Sequence, residues 1–126
     1  MKDINACTFS GRLVRDIEVR STKGGTPVGT FSIAYNGRKK NQQTGRYEDV
    51  PNFLDCVIYG ARAQAIAQYL TKGTEVFVEG ELQHSTWTDK KTGHNRSKHE
   101  LSVNDIKFYT EDSQPQTHDE YQDYGW

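Results

Sequence analysis

Apolar and polar residues alternate along three segments of the chain, residues 28–35, 53–59 and 75–82. A period of two residues is typical of antiparallel strands that bury one face and expose the other. A fourth segment, residues 100–108, has the composition of a last strand. The pattern therefore predicts that residues 4–109 are mostly β-structure.

A single helical segment, residues 61–71, interrupts the predicted strands. It is rich in alanine, and its apolar residues recur at helical spacing, at Ala63, Ile66, Ala67 and Leu70. Gly73 follows it, and glycine suits the left-handed conformation that ends many helices. Turn-forming residues separate the strands at 23–25, 41–45 and 89–93. The chain is thus expected to place one short helix among several strands.

The order of these elements is that of the oligonucleotide-binding (OB) fold. In this all-β fold, a five-stranded Greek-key barrel has one short helix between its third and fourth strands. Only 33% of the residues are hydrophobic, which suits the small core of such a barrel. Other small barrels share the strand pattern, but a helix at that point narrows the choice. We therefore predict an OB-fold barrel.

The alternation stops after Tyr109, and there the charge changes sign. Residues 1–110 hold all 16 Lys and Arg and 12 of the 17 Asp and Glu, a net charge of +4. Residues 111–126 hold the other five acidic residues and no Lys or Arg, a net charge of −5. We predict one domain over residues 1–110 and a disordered acidic tail over 111–126. This asymmetry is typical of a polyanion binder, but it also fits a solubilising tail on an ordinary domain.

The sequence lacks the motifs of common enzymes and metal sites. It has no P-loop, HExxH or GxSxG motif, and its four histidines are not spaced with acids or cysteines as ligands. Cys7 and Cys56 are isolated, and we interpret them as small buried hydrophobic residues. No segment resembles a signal peptide or a transmembrane helix. We therefore predict a cytoplasmic protein that is not an enzyme and uses no metal or cofactor.

Aromatic and cationic residues occur where the core does not require them. Phe53 and Tyr59 lie on the strand face opposite Cys56, and Trp87 comes just before a predicted turn. Aromatic rings stack on any nucleobase, at roughly 1–3 kcal/mol per base, and cations follow a phosphate backbone. The predicted phosphate contacts are Arg12, Arg15, Arg20, Arg38, Lys39, Lys40, Arg62 and Lys72, with further cations at Arg46, Lys90, Lys91, Arg96 and Lys98. Alternatively, Phe53 and Tyr59 form a second hydrophobic layer or a subunit interface.

Six short segments, spread over residues 4–109, together form a specific signature. They are residues 11–20 (GRLVRDIEVR), 30–34 (TFSIA), 57–60 (VIYG), 69–73 (YLTKG), 76–82 (VFVEGEL) and 87–89 (WTD). In this order they resemble the bacterial single-stranded DNA-binding protein family. The resemblance implies a homotetramer that wraps single-stranded DNA during DNA replication, recombination and repair, and hence association with the nucleoid. It also implies base stacking on Phe53, Tyr59 and Trp87.

Two segments depart from the family. The family has a further aromatic residue in the loop after the second strand, where residues 38–40 of this chain read RKK. We predict that Tyr35, earlier on that strand, compensates as a fourth stacking residue. The segment before Trp87 is often basic in the family, and here residues 83–86 read QHST. These departures bear on affinity and binding mode rather than on the activity itself.

The tail departs as well. Family members often end in a long glycine- and glutamine-rich linker and an acidic tip with a terminal Pro-Phe, whereas the linker here is short. An acidic end with a terminal aromatic residue still suits a basic, hydrophobic pocket, which we predict lies on a replication or repair protein. The predicted contacts are Asp119, Glu120, Asp123, Tyr124 and Trp126. The brevity of the chain suggests a phage or mobile-element member.

Two other interpretations of the residues stay open. A primosomal or RNA-binding barrel would use the same groove, and recognition of the ribose 2′-hydroxyl would distinguish it. A pure assembly adaptor would use the exposed aromatic residues as interface residues and would bind no nucleic acid.

Overall fold

The computed structural model describes residues 2–109, together with the backbone of residues 115–116. The strands are β1 (Cys7–Leu13), β2 (Glu18–Ser21), β3 (Pro27–Lys40), β4 (Tyr47–Tyr59), β5 (Glu75–Thr88), β6 (Asn95–Tyr109) and β7 (Pro115–Gln116). One helix, α1 (Ala61–Ile66), continues as a 3-10 turn, Ala67–Tyr69. Within these residues the chain is mostly strand, as predicted.

The strands close into a barrel. Their order is β1-β5-β6-β4-β3-β2, and β1 closes the ring by also pairing with β3 at Arg12 and Leu13. The pairing of β4 with β6, at Cys56 and Leu101, is parallel, and the other pairs are antiparallel. This confirms the predicted five-stranded OB-fold barrel, in which β1 and β2 together form the first barrel strand.

When the strands are counted one by one along the chain, the predicted position of the helix is wrong by one strand. We expected α1 between the third and fourth strands, and it lies between β4 and β5. The reason is a break in the first barrel strand between Leu13 and Glu18. At this break the Ile17 amide donates a hydrogen bond to the Leu70 carbonyl, and the Asp16 carboxylate accepts one from the Lys72 amide. The chain leaves the sheet there to contact the end of the helical segment.

Two hairpins extend well beyond the segments of alternating apolar and polar residues. β3 and β4 stay paired from Val28 and Tyr59 out to Lys40 and Tyr47. β5 and β6 stay paired out to Thr88 and Asn95. The sequence pattern marked only the barrel ends of these strands, because the outer parts are exposed and show no apolar alternation. The helix, in contrast, ends earlier than the predicted residue 71.

The core lies between the sheet and α1. Its fully buried side chains come from β3, β4, β5, β6 and the helical segment, and include Phe31, Ile33, Ile58, Leu70, Val76, Leu101 and Ile106. Cys56 belongs to this core as a free thiol, and burial raises its pKa to about 12. Its interpretation as a small hydrophobic residue is therefore confirmed.

Gly80 lies at an irregularity in the wall formed by β5 and β6. The register shifts between Glu79 and Gly80, so that Gly80 faces Val103. A Cβ atom at Gly80 would overlap the Ser102 carbonyl oxygen and crowd the Val103 Cα atom. The close approach of these two backbones thus requires glycine.

The predicted tail falls almost wholly outside the described residues. Its one described part is β7, whose Pro115 and Gln116 pair with Tyr109 and Phe108 at the end of β6. In the part of the chain that the structure describes, no helix has both the length and the apolar character needed to cross a membrane.

Candidate nucleic-acid interface

One outer face of the barrel carries three exposed aromatic rings. Phe53 and Tyr59 lie on β4 and are 66% and 51% exposed. Trp87 lies on β5 and is 45% exposed. We call this surface, formed by the outward side chains of β3, β4, β6 and β5, the aromatic face.

Strand register places the three rings on the same side. Directly paired residues point to the same face of a sheet, and the face alternates along each strand. Phe53, Val57 and Tyr59 are separated by even numbers of residues on β4, so the three share a face. Val57 pairs with Ser102 on β6. Ser102 pairs with Glu81 on β5, and Trp87 follows six residues later. The register therefore points all three rings to the outside of the barrel, from β4 and from β5, which both neighbour β6.

Tyr35 is not brought to this face. It follows Phe31 and Ile33 at two-residue spacing on β3, so its side chain points to the opposite side from Phe53. There it is half-buried, and its ring packs against that of Phe9 with centroids 5.2 Å apart. The structure thus gives Tyr35 a packing contact and separates it from the three other predicted stacking residues.

A hydrogen-bonded network of charged residues lies between the rings. The Ser32 hydroxyl donates to the Asp55 carboxylate, and the Lys98 Nζ lies 3.2 Å from the other Asp55 oxygen. The bond from Ser32 lowers the pKa of Asp55, and the charges of Lys98 and Arg15 act in the same direction, while partial burial opposes them. Asp55 is therefore ionised at neutral pH. Lys98 also lies 3.7 Å from Glu100.

The same network reaches one of the rings. Glu100 accepts hydrogen bonds from the Ser85 hydroxyl at 2.8 Å and from the Gln83 amide at 3.0 Å. Gln83 also donates to the Tyr59 hydroxyl at 3.3 Å. The last of these contacts joins Tyr59 on β4 to Gln83 on β5. The network also makes the centre of the aromatic face mixed in charge, which the sequence reasoning did not predict.

Several predicted phosphate-binding cations surround this face. On the β3–β4 hairpin, Arg38 pairs with Asp49 and Lys40 with Tyr47, which puts both cations on the same side as Phe53, while Lys39 points the other way. At the other end of β3, Arg20 on β2 pairs with Val28, which itself pairs with Tyr59 on β4. Arg20 also forms an ion pair with Glu18 at 3.3 Å.

Three further cations among the predicted phosphate contacts are exposed. Arg15 is exposed, and its charge acts on Asp55. Arg12 pairs with Ala34, the neighbour of Phe53, but its guanidinium lies 3.9 Å from the Glu75 carboxylate. Lys72 is exposed after the helical segment.

Arg62 has a different environment from the other predicted cations. Its side chain is only 26% exposed, and it donates to the Asn104 carbonyl and, at 3.0 Å, to the Asp105 carboxylate. These bonds join α1 to β6. The structure therefore gives Arg62 a structural contact, whereas the other predicted cations are exposed.

Sequence reasoning missed one aromatic residue on this face. Tyr47 is 61% exposed on β4, and the Arg38 guanidinium lies over its ring, 5.4 Å from the centroid. Its spacing from Phe53, like that of Phe53 from Tyr59, is six residues. That spacing would have identified Tyr47 if the predicted strand had started earlier than residue 53.

Metal-binding groups are absent from the described residues. Within residues 2–109, no three side chains of His, Cys, Asp and Glu come together in a group that could hold a metal ion. His84 and His99 face each other across β5 and β6, with ring centroids 4.7 Å apart.

Comparisons with known proteins agree with this geometry. The protein of Borreliella burgdorferi named "Single-stranded DNA-binding protein" is 42% identical over 114 residues, which cover 90% of this chain and 74% of that protein. Its namesake in Treponema pallidum is 39% identical over 108 residues, which cover 86% of this chain and 59% of that protein.

Solved structures share the fold. A Plasmodium falciparum SSB in complex with ssDNA superposes with a TM-score of 0.76 at 24% identity, covering 86% of this chain and 97% of that one. A deletion mutant of the single-stranded DNA binding protein from Thermus aquaticus gives a TM-score of 0.74 at 22% identity, covering 90% and 54% of the two chains. The family model described as "Single-strand binding protein family" matches residues 4–109. The chain therefore belongs to the single-strand binding protein family.

Proposed function

We propose that this protein binds single-stranded DNA without strong sequence preference, by stacking bases on the aromatic face. The observation that carries the proposal is the alignment of Phe53, Tyr59 and Trp87, each exposed, on one side of one sheet. Every base has a π-face, so stacking tolerates any sequence and contributes roughly 1–3 kcal/mol per base. A rigid sheet holds the rings at fixed spacing and so lowers the cost of ordering the site.

Phosphate contacts come from the cations around the rings. Arg38 and Lys40 lie beyond Phe53 on the hairpin, Arg20 lies beside Tyr59, and Arg15 lies near Asp55. Because these contacts release counterions, we expect binding to weaken as the salt concentration rises. The aromatic face offers stacking surface and charge rather than a reactive group, so the proposed function includes no catalytic step.

We propose a role in protecting single-stranded DNA during replication, recombination and repair, in the cytoplasm and at the nucleoid. A homotetramer fits this role, and two features support self-association. Within the described residues, β1 pairs with β5 from Cys7 to Arg12 but with β3 only at Arg12 and Leu13. A strand edge that is left unpaired can pair with another chain. Ile4 is also almost fully exposed. Sedimentation velocity at several protein concentrations measures the assembly directly.

The acidic tail is proposed to bind other proteins of replication or repair. Its predicted contacts, Asp119, Glu120, Asp123, Tyr124 and Trp126, lie outside the described residues. We expect a chain shortened by its last eight residues to keep its affinity for DNA and to lose these partners in a pull-down. Retention of every partner by the shortened chain would reject this part of the proposal.

The experiment for the function compares three ligands of equal length. Fluorescence anisotropy should show tight binding to labelled oligo-dT and weak binding to the same length of duplex, because paired bases cannot lie on the rings. Oligo-U tests the RNA-binding alternative, since the 2′-hydroxyl is the group that such proteins recognise. Equal or tighter binding of oligo-U would favour an RNA-binding barrel, and binding of none of the three would favour an assembly adaptor.

Asp55→Asn should strengthen binding to single-stranded DNA. The amide can still accept the hydrogen bond from Ser32, but it no longer repels phosphate or neutralises Lys98. We expect affinity for oligo-dT at low salt to rise several-fold. The slope of log K against log salt should steepen by about 0.7, the value for one more phosphate contact on a single strand. Titrations at four salt concentrations measure both quantities.

The matched control is Glu79→Gln. It removes the same charge from the part of β5 that pairs with β1 at Thr8, eight residues along the strand from Trp87. We expect it to leave the slope unchanged. If both substitutions raise affinity equally, the effect is one of net charge, and the specific role of Asp55 is rejected.

A further inference from the structure

We propose that Tyr47, Arg38 and Lys40 form an additional nucleotide-binding subsite on the β3–β4 hairpin, outside the barrel. We call these three residues the hairpin subsite. Its ligand is a nucleotide of the same single strand that lies on the aromatic face, one base stacking on Tyr47 and its phosphates contacting the two cations. The inference rests on the proposed function and extends the binding surface beyond it.

The first argument is the direction and exposure of Tyr47. It follows the alternation of β4, so it points to the same side as Phe53 and Tyr59. At 61% exposure it lies outside the buried core of the described residues. At about 3.3 Å per residue, its six-residue separation from Phe53 is roughly 20 Å along the strand. The three tyrosine and phenylalanine rings of β4 therefore form one evenly spaced row.

The second argument is the charge beside the ring. The Arg38 guanidinium lies over Tyr47, 5.4 Å from the ring centroid, and Lys40 is the direct partner of Tyr47 in the β-ladder. A planar guanidinium can stack on a ring and present its N–H groups to phosphate oxygens at the same time. Asp49 pairs with Arg38 and offsets only one of the two positive charges, so Arg38, Lys40 and Asp49 together keep a net positive charge. The Tyr47 ring can therefore stack on the base of a nucleotide while the two cations contact its phosphate.

The third argument is that the hairpin is held in a fixed shape. The ladder is continuous from the barrel out to Lys40 and Tyr47. Its turn closes through hydrogen bonds from the Asn41 amide to the Arg46 carbonyl at 2.7 Å and from the Gly45 amide to the Asn41 carbonyl at 2.8 Å. The Asn41 side chain also accepts a bond from the Gln43 amide at 2.8 Å. The hairpin subsite is thus held at a set distance from Phe53.

The test compares Tyr47→Leu and Tyr47→Phe with the unmodified protein, using the full chain. Leucine keeps an apolar side chain but cannot stack, whereas phenylalanine can. With oligo-dT long enough to cover the whole row, we expect Tyr47→Leu to bind about five-fold or more weakly and Tyr47→Phe to bind normally. Arg38→Gln should flatten the salt slope by about 0.7. Photo-crosslinking with oligonucleotides that carry 5-iodouracil should give an adduct at Tyr47.

The outcomes separate the inference from the proposed function. If the unmodified protein fails to bind oligo-dT, the proposed function fails. If it binds, but Tyr47→Leu binds equally well and no adduct forms at Tyr47, only the hairpin subsite is rejected. A change of assembly state in Tyr47→Leu, seen by sedimentation, would also overturn the subsite, because the ring would then serve a subunit contact. Thermal unfolding confirms that each variant is folded.

Discussion

Gly80→Ala should unfold at a markedly lower denaturant concentration than the unmodified protein. The added methyl group would overlap the carbonyl oxygen of Ser102, a backbone atom that cannot move without breaking the β5–β6 pairing. We expect a loss of about 3 kcal/mol in the free energy of unfolding, the upper part of the range for overpacking a buried site. Urea unfolding followed by circular dichroism measures this loss.

Gly24→Ala is the matched control. The nearest atom to a Cβ there is the Thr22 hydroxyl oxygen at 3.9 Å, an ordinary contact, and no backbone strain is expected. This substitution should change the free energy of unfolding by less than about 0.5 kcal/mol. Equal stability of the Gly80→Ala and Gly24→Ala proteins would contradict the close approach of β5 and β6 at Gly80.

Phe53→Ala and Trp87→Ala should each weaken binding to oligo-dT by roughly 1–3 kcal/mol, the value of one lost base stack. Both side chains are exposed, so their removal should have little effect on the free energy of unfolding. The two effects need not add, because one strand contacts both rings. Anisotropy titrations of the two single variants and the double variant measure the coupling.

Tyr35→Leu is the control for these two variants. It removes an aromatic ring that packs against Phe9 on the opposite side of β3 from Phe53. We expect the folded Tyr35→Leu protein to bind oligo-dT normally and to be less stable. A loss of affinity as large as that of Phe53→Ala would place Tyr35 in the DNA site after all, as the sequence analysis predicted.

The barrel was predictable because its strands are half-buried. Core residues alternate with outward residues on β3, at Phe31 and Ile33, and on β4, at Cys56 and Ile58. This alternation identifies the side of each strand that faces the core. The hairpin ends of the same strands, such as residues 38–40, are exposed on both sides and carry no such signal. For the same reason Tyr47 was missed. The break between β1 and β2 adds one strand before the helix. It depends on contacts of Ile17 with Leu70 and of Asp16 with Lys72, which are residues far apart in sequence.

The aromatic residues of the candidate site were easier to predict than its charges. The period of β4 alone put Phe53 and Tyr59 opposite the core. The contact of Asp55 with Lys98 joins β4 to β6, and those of Glu100 with Ser85 and Gln83 join β6 to β5, so neither can be found from the pattern of one strand. Tyr35 was assigned to replace the family aromatic residue that residues 38–40 lack, although its two-residue spacing from Phe31 and Ile33 puts it on the core side of β3. Arg62 was counted as a free cation because the sequence does not show that α1 packs near Asp105.

The central claim is that bases stack on the aromatic face, and the fluorescence of Trp87 tests it most directly. The chain has a second tryptophan, Trp126, so the measurement uses Trp126→Phe, which leaves Trp87 as the only tryptophan. Titration with oligo-dT at two salt concentrations should quench its emission to saturation, with weaker binding at the higher salt. Binding detected by anisotropy without any change in Trp87 emission would contradict the account, since the DNA would then lie elsewhere on the protein.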